Sequence, residues 1–414
     1  MTEKEGFTTK ILHTDRRTGI EHHAVHQPVH TSVAYGYPDA DQLIRVFQGA
    51  DNGHVYSRQS NPTTAALESK ITAMEQGLSS VCFSTGMAAI GSTFLSLLRE
   101  GDHIVSSKYL FGNTSSLLKT MDNFGCKVSL VDATDVKNIE DAVQPDTRLV
   151  FVETIANPRT QIADLARIGE FCKQRNLLYI VDNTITSAYL FKPKSVNAGL
   201  VINSLTKNIS GHGDALGGSV TDTGIYDWTQ YPNIYDIYKN RPPEYWGITQ
   251  IRKKGLRDFG STLTSESAHK ISIGAETLAL RLDRSNSNAD KLAQFLSNHD
   301  AITKVYYPGL AGHPEHLLSK SLFKFNGNLL SIELAEKYDW RQFMNNLRCV
   351  VLSSHLGDNR TLAIPVAHTI YWEMGPESRA NMGINDSLIR ISVGIEDIED
   401  IIHDFDTALN MATI

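Results

Sequence analysis

Six short apolar runs rich in β-branched residues, SSVCF, DHIVSS, KVSLVD, TRLVFVET, LLYIVDN and GLVINSL, follow one another between residues 79 and 205. Turn-forming residues bound them, and amphipathic segments separate them. TTAALESKITAMEQG places Leu67, Ile71 and Met74 on one helical face and ends at Gly77; ADLARIGEFCKQRN aligns Leu165, Ile168 and Cys172. Apolar strands without polar alternation are buried on both faces, and helical crossovers make neighbouring strands parallel. The pattern predicts an α/β fold around a mostly parallel sheet.

At 414 residues the chain is long enough for two domains. Residues 1–60 show little periodicity and read as an arm with loops. Residues 61–260 hold the strand and helix alternation. Beyond about 260 a long helical stretch, SESAHKISIGAETLALRLDRSNSNADKLAQFLSNH, precedes the strand candidates FNGNLLSIEL and SLIRISVG and a last helix. Residues 261–414 are therefore expected to form a smaller α+β domain. A net charge of −7 argues against nucleic acid or an anionic membrane as partner. No apolar run approaches the ~18–20 residues needed to cross a bilayer, and MTEKEGFTTK lacks the apolar core of a secretory signal. Cys82, Cys126, Cys172 and Cys349 are scattered without a CxxC pair, which points to the reducing cytoplasm and away from a zinc site.

Two residues fall at carboxyl ends of adjacent predicted strands, where open α/β sheets bind ligands: Asp182 in LLYIVDNT and Lys207 in SLTKNISGHGDALGG. Separately, Lys207 could be a solvated lysine and Asp182 a turn acceptor. Together they suit an aldehyde cofactor held on the lysine amine, with the aspartate keeping a pyridine nitrogen protonated, which is the requirement of pyridoxal phosphate. The strand–turn–helix SSVCF-STGMAAIGS can aim the amides of Gly86 and Met87 at a phosphate, although such a turn also serves as a plain cap. Ser204 and Thr206 can add hydroxyl donors. Neither GxxxxGK[ST] nor GxGxxG is present, so a nucleotide-binding reading fails.

Tyr56 and Arg58, in the loop-like VYSRQSNPTT, offer a phenol and a guanidinium to a phosphate. Arg390 lies inside the apolar run LIRISVG, where a guanidinium needs a partner. Glu396 or Asp397 is expected to pair with it, or else a substrate carboxylate. His22, His23, His26 and His30 have no helical or hairpin frame and no acidic companion, so a polar arm is expected and not a metal site. HPEH, residues 313–316, reads as a turn.

YSRQSNPTT, STGMAAI, ETIANPRT, VDNT, SLTKNISGHGDALGG and LIRISVGIED, in that order over almost the whole length, resemble the cysteine and methionine metabolism family of pyridoxal-phosphate enzymes. That group includes cystathionine γ-synthases, homoserine sulfhydrylases and γ-lyases acting on cystathionine or methionine. The resemblance implies an aspartate-aminotransferase-like fold (fold type I) and a homotetramer of two catalytic dimers. It implies Lys207 as the catalytic residue and cofactor anchor, and Asp182 as partner of the pyridine nitrogen. Gly86, Met87, Ser204 and Thr206 would bind the phosphate, with Tyr56 and Arg58 reaching the neighbouring subunit's phosphate. Asn157, Ser354 and Arg390 would lie at the substrate, with Arg390 on its carboxylate.

Several positions depart from the family pattern. Phe111 stands in LFGNT where many members stack a tyrosine on the cofactor ring; phenylalanine can stack but cannot donate a proton. Asn113 replaces the cysteine of typical methionine γ-lyases. Arg360, in LGDNRTL, stands where cystathionine-handling members often carry glutamate, and a cation there could attract a distal carboxylate. His355 replaces the usual serine or asparagine, and Pro365 and His368 alter a run that usually reads HPASTTH. These features favour γ-replacement on an O-acyl-homoserine by a thiol or sulfide. The alternatives are a γ-lyase, a non-catalytic cofactor-binding or assembly protein, and an aminotransferase.

Overall fold

The computed structural model describes residues 5–17 and 19–413. Its large sheet contains β1 (Ser79–Phe83), β2 (His103–Ser107), β3 (Lys127–Val131), β4 (Thr147–Glu153), β5 (Leu178–Asp182), β6 (Leu200–Asn203) and β7 (Gly218–Asp222). Their order is β1-β7-β6-β5-β4-β2-β3, with β7 antiparallel to both neighbours and every other pair parallel. The six expected strands are all present. Both faces are buried in the interior strands, where Leu149 and Phe151 of β4 enter one core while Val150 and Val152 enter the other; the edge strand β3 departs from the expectation, with Lys127 and Leu130 exposed. Each such side chain contributes about 1.5–3 kcal/mol relative to exposure, which is why these runs show no polar alternation.

β7 was not expected from its sequence, GSVTD. Ser219 and Thr221 are nevertheless fully buried within it, and Thr221 Oγ1 meets Ser80 Oγ at 2.8 Å across to β1. Glycine is required at its start, because a Cβ on Gly218 would lie 2.1 Å from Thr85 O. The helix Pro62–Glu75 carries Leu67, Ile71 and Met74 inward, as the periodicity predicts, behind an Asn61–Thr64 capping box. Its end differs from expectation. Gln76, with φ 55°, supplies the left-handed cap, while Gly77 is small because a Cβ there would meet Thr221 Cγ2 at 2.3 Å.

The second sheet has the order β10-β11-β12-β9-β8, comprising β8 (Ile302–Tyr306), β9 (Leu329–Leu334), β10 (Val351–Leu352), β11 (Leu362–Pro365) and β12 (Leu388–Ser392). The long helical stretch before it resolves into Ser265–Glu276 and Leu278–Ser297, meeting at Thr277. The first of these packs Ala268, Ile271 and Ala275 with Leu67 and Ile71, on the large sheet's side. The first 60 residues contain more regular structure than expected, with helices Phe7–His13 and Ala40–Gln48. Buried Lys70 ties this segment down through Asp15 at 3.3 Å and Glu276 at 3.0 Å. No described helix is long and apolar enough to cross a membrane.

Candidate active site

The carboxyl ends of β1, β4, β5 and β6 share one edge of the large sheet, and a cavity of about 430 Å³ opens there. Glu153 ends β4 and Asp182 ends β5 in direct register. Thr85 and Gly86 follow β1, and Ser204, Thr206 and Lys207 follow β6. Ser354 and Arg390 close the cavity from the second sheet's side. Ten expected site residues thus line one space: Gly86, Met87, Phe111, Asn157, Asp182, Ser204, Thr206, Lys207, Ser354 and Arg390.

At the phosphate turn, Thr85 Oγ1 caps the helix Gly86–Leu97 by accepting from Ala88 N at 2.9 Å. The amides of Gly86 and Met87 precede any intrahelical acceptor, so they remain available to an anion. A Cβ on Gly86 would sit 2.8 Å from Ser204 Cβ, so only glycine permits this approach. The hydroxyl of Thr206 is already committed, donating to Gly217 O at 3.1 Å and accepting from Gly217 N at 3.0 Å.

Asp182 combines the two readings open to it. One oxygen accepts from Thr184 N at 2.9 Å, forming the turn, and the carboxyl still faces the cavity. Burial raises its pKa against that hydrogen bond. Glu153 was not anticipated, although it ends TRLVFVE as Asp182 ends LLYIVD. Burial, and then the charge of Asp182, holds its carboxyl well above the usual range, while Phe111 N donates to it at 2.7 Å. A carboxyl pair in a low-dielectric site is relieved by a cation, and a protonated pyridine nitrogen is one.

Lys207 is partly buried and lines the cavity. Burial, reinforced by Arg390, pulls its amine down to about 8. Arg390 is only 2% exposed, and neither expected carboxylate partner reaches it. Glu396 instead accepts from Thr361, and Asp397 from Arg284. Arg390 Nη2 donates to the carbonyls of Ser354 and His355 at 3.0 and 2.9 Å, and its Nε is buried without a partner. Burial lowers it to about 10. Asn157 Oδ1 is likewise buried and unpaired, while its backbone carbonyl accepts from Tyr371 Oη at 2.6 Å. The remodelled run thus delivers Ile370 to the cavity wall and Tyr371 to Asn157. His368 stacks on Trp340 outside the cavity.

Three expected residues are not at this chain's cavity. Tyr56 is 42% exposed, and Arg58 Nη1 donates to Arg257 O at 2.6 Å. Arg360 is held by Asp358 Oδ1 at 2.7 Å and by His212 O at 3.0 Å. Among the described residues no group of three His, Cys, Asp or Glu side chains is placed to hold a metal ion.

Lysine, carboxyl pair, free helix amides and a glycine cradle fit pyridoxal phosphate, and fold and site together define a pyridoxal-phosphate enzyme of the aspartate-aminotransferase-like class. The sequence profile of the "Cys/Met metabolism PLP-dependent enzyme" family matches residues 8–410, and the chain belongs to that family. It is 35% identical to an L-methionine γ-lyase of Fusobacterium nucleatum subsp. polymorphum, over 99% of both chains. It is also 35% identical to an O-acetyl-L-homoserine sulfhydrylase of Corynebacterium glutamicum, covering 97% of this chain and 96% of the relative. The crystal structure of a cystathionine γ-synthase from Xanthomonas oryzae pv. oryzae, in complex with aminoacrylate and cysteine, superposes with TM-score 0.87 at 29% identity, covering 98% of each chain. A Campylobacter jejuni protein described as an O-acetylhomoserine (thiol)-lyase, which carries a pyridoxyl-lysine phosphate, superposes with TM-score 0.89 at 30% identity, covering 98% of this chain and all of that one.

Proposed function

We propose that this enzyme replaces the γ substituent of an O-acyl-homoserine with a thiol or sulfide. The observation that carries the reading is Phe111: among the described residues, this chain contributes no phenol to its own cavity, and the Tyr56 that a neighbouring subunit would bring is assigned to the phosphate. A thiolate expelled from methionine or cystathionine benefits from an acid beside it, whereas a carboxylate leaves without one. Bound pyridoxal phosphate supplies the electron sink that makes the α proton, and then a β proton, of the amino acid removable. Lys207 Nζ would take the α proton; an amine lowered to about 8 has a much larger neutral fraction near neutrality than an ordinary lysine. Arg390 and Asn157 would hold the substrate carboxylate, Asp182 the ring nitrogen, and Gly86, Met87 and Ser204 the phosphate. Arg360, bound to Asp358, has no assigned substrate contact in this reading.

Incubating the enzyme with O-acetyl- and O-succinyl-homoserine, with and without sulfide or cysteine, tests the reading by mass spectrometry. Homocysteine or cystathionine is expected. Oxo acid from methionine, with neither ester reacting, overturns it in favour of a γ-lyase.

The exposure of Tyr56 and Arg58 supports a shared site, in which the arm of residues 1–60 serves a neighbouring subunit in a dimer of catalytic dimers. Arg58→Ala is expected to weaken cofactor retention by roughly tenfold or more, the loss of one charge-assisted phosphate contact. Mixed hybrids of Arg58→Ala with Lys207→Ala should regain part of the activity, because one of the two sites then has both residues. Hybrids with no recovery argue against sharing. The four cysteines are free thiols, three of them buried, which suits a chain working in the reducing cytoplasm.

A further inference from the structure

One residue at the lysine is absent from the mechanism above. His355 Nδ1 lies 3.2 Å from Lys207 Nζ and is the only polar partner the amine has among the described residues. The imidazole is not part of the cavity wall; a Cβ on Gly213 would meet both its Cδ2 and Asp358 Oδ2. Its backbone is fixed at both ends of the residue. His355 N donates to Ser353 Oγ at 3.2 Å, and His355 O accepts from Arg390 Nη2 at 2.9 Å. Its Nε2 is buried with no partner.

We propose that His355 is a positioning residue for Lys207, accepting a hydrogen bond at Nδ1 that stabilises the amine in its proton-carrying form. The inference rests on Lys207 being the base of the proposed reaction. In that reaction the C–H pair stays with the substrate carbon and the proton alone moves to Nζ, turning a neutral amine into an ammonium. Everything else around Nζ disfavours that cation: burial removes much of its solvation, Arg390 repels it, and no described carboxylate touches it. A neutral imidazole with its proton on Nε2 offers the missing acceptor. Burial first, then Lys207, pulls His355 down to about 4; Asp358 opposes this, and Arg390 and Arg360 add to it. The ring therefore stays an acceptor through the working pH range and never competes as a second cation. The base and the carboxylate clamp thus share one residue, with the His355 ring bonded to Lys207 and its carbonyl to Arg390.

The test reads the Lys207 amine directly. Competitive labelling of the cofactor-stripped full chain with an amine-reactive reagent, followed against pH by peptide mass spectrometry, gives the midpoint at position 207. In His355→Leu the midpoint should fall by about one pH unit or more, the worth of a hydrogen bond to a charged group. His355→Asn, whose amide oxygen can accept, should recover most of it. In the loaded enzyme, exchange of the α proton of a bound amino acid into D2O should slow about tenfold in the leucine variant and recover in the asparagine variant. An unchanged or raised midpoint in His355→Leu overturns the proposal. So does an asparagine variant that behaves like leucine, since the effect is then one of volume. Failure of the parent reading shows separately, as the absence of a borohydride-trapped cofactor on Lys207.

Discussion

Lys207→Ala protein is expected to purify colourless, to take up no cofactor that borohydride can trap, and to lose at least about 10³-fold in turnover. That loss combines the covalent anchor with a proton-transfer group that alone is typically worth about 10²–10⁴-fold. The fold should survive. Lys207 contributes a buried amine with only a histidine for company, and removing a cation that burial already disfavours leaves no carboxylate orphaned. Far-ultraviolet circular dichroism and the melting temperature of the cofactor-free proteins check this arm; an unfolded variant would make the loss of colour uninformative. In the parent protein the same amine predicts a pH dependence of cofactor capture. Only the neutral amine attacks an aldehyde, so the capture rate should rise with pH up to about 8 and then level. A trapped adduct on a lysine other than Lys207 would end this account of the site.

Arg390→Leu should separate stability from function. With the substrate absent, the guanidinium is buried and pairs with two carbonyls only. Its removal relieves a desolvated charge and leaves those carbonyls without a donor, opposing effects of about 1–3 kcal/mol each. The melting temperature is therefore expected to move by a few degrees at most. The substrate carboxylate loses its charged partner, and kcat/KM should fall about 10²–10³-fold, the usual cost of breaking a buried charge pair from one side. The effect should vanish for an amine analogue that lacks the carboxylate, which the variant and the parent should process equally slowly. Equal losses on both compounds would assign Arg390 to the scaffold. Because Arg390 helps depress Lys207, the variant should also shift the capture profile to higher pH.

The sequence was most readable where burial is continuous. Five of the six runs from SSVCF to GLVINSL are strands largely buried on both faces, which leaves an apolar signature; KVSLV, the edge strand β3, is the exception, with Lys127 and Leu130 exposed. GSVTD escaped because hydroxyl side chains fill buried positions: Thr221 Oγ1 meets Ser80 Oγ across to β1, a partner visible only after pairing, and Ser219 Oγ is buried with no partner. The site residues near strand ends were legible for a related reason: a charged or polar residue closing an apolar run marks the ligand edge. Glu153 obeys the same rule, closing TRLVFVE beside Asp182 in the sheet, a pairing that shows only once β4 and β5 are in register. The partners of Arg390 and Arg360 were not legible. Glu396 and Asp397 are near Arg390 in sequence but turn towards Thr361 and Arg284, and Arg360 folds back onto Asp358 two residues away. Side-chain direction in loops is set by contacts that sequence spacing does not encode.

Lys207 lies on the connection between β6 and β7, which are hydrogen-bonded neighbours in the sheet. Arg281, from the helix Leu278–Ser297, gathers the carbonyls of Asn208 and Ile209 at 2.7 and 3.0 Å, and a Cβ on Gly211 would collide with it. The stretch around the lysine is thus moored at both ends by the sheet and in its middle by a guanidinium. In the proposed reaction a side chain that must let go of one molecule and seize another would do so from a stationary berth, so the cycle would ask for rotation about side-chain bonds and no excursion of the main chain.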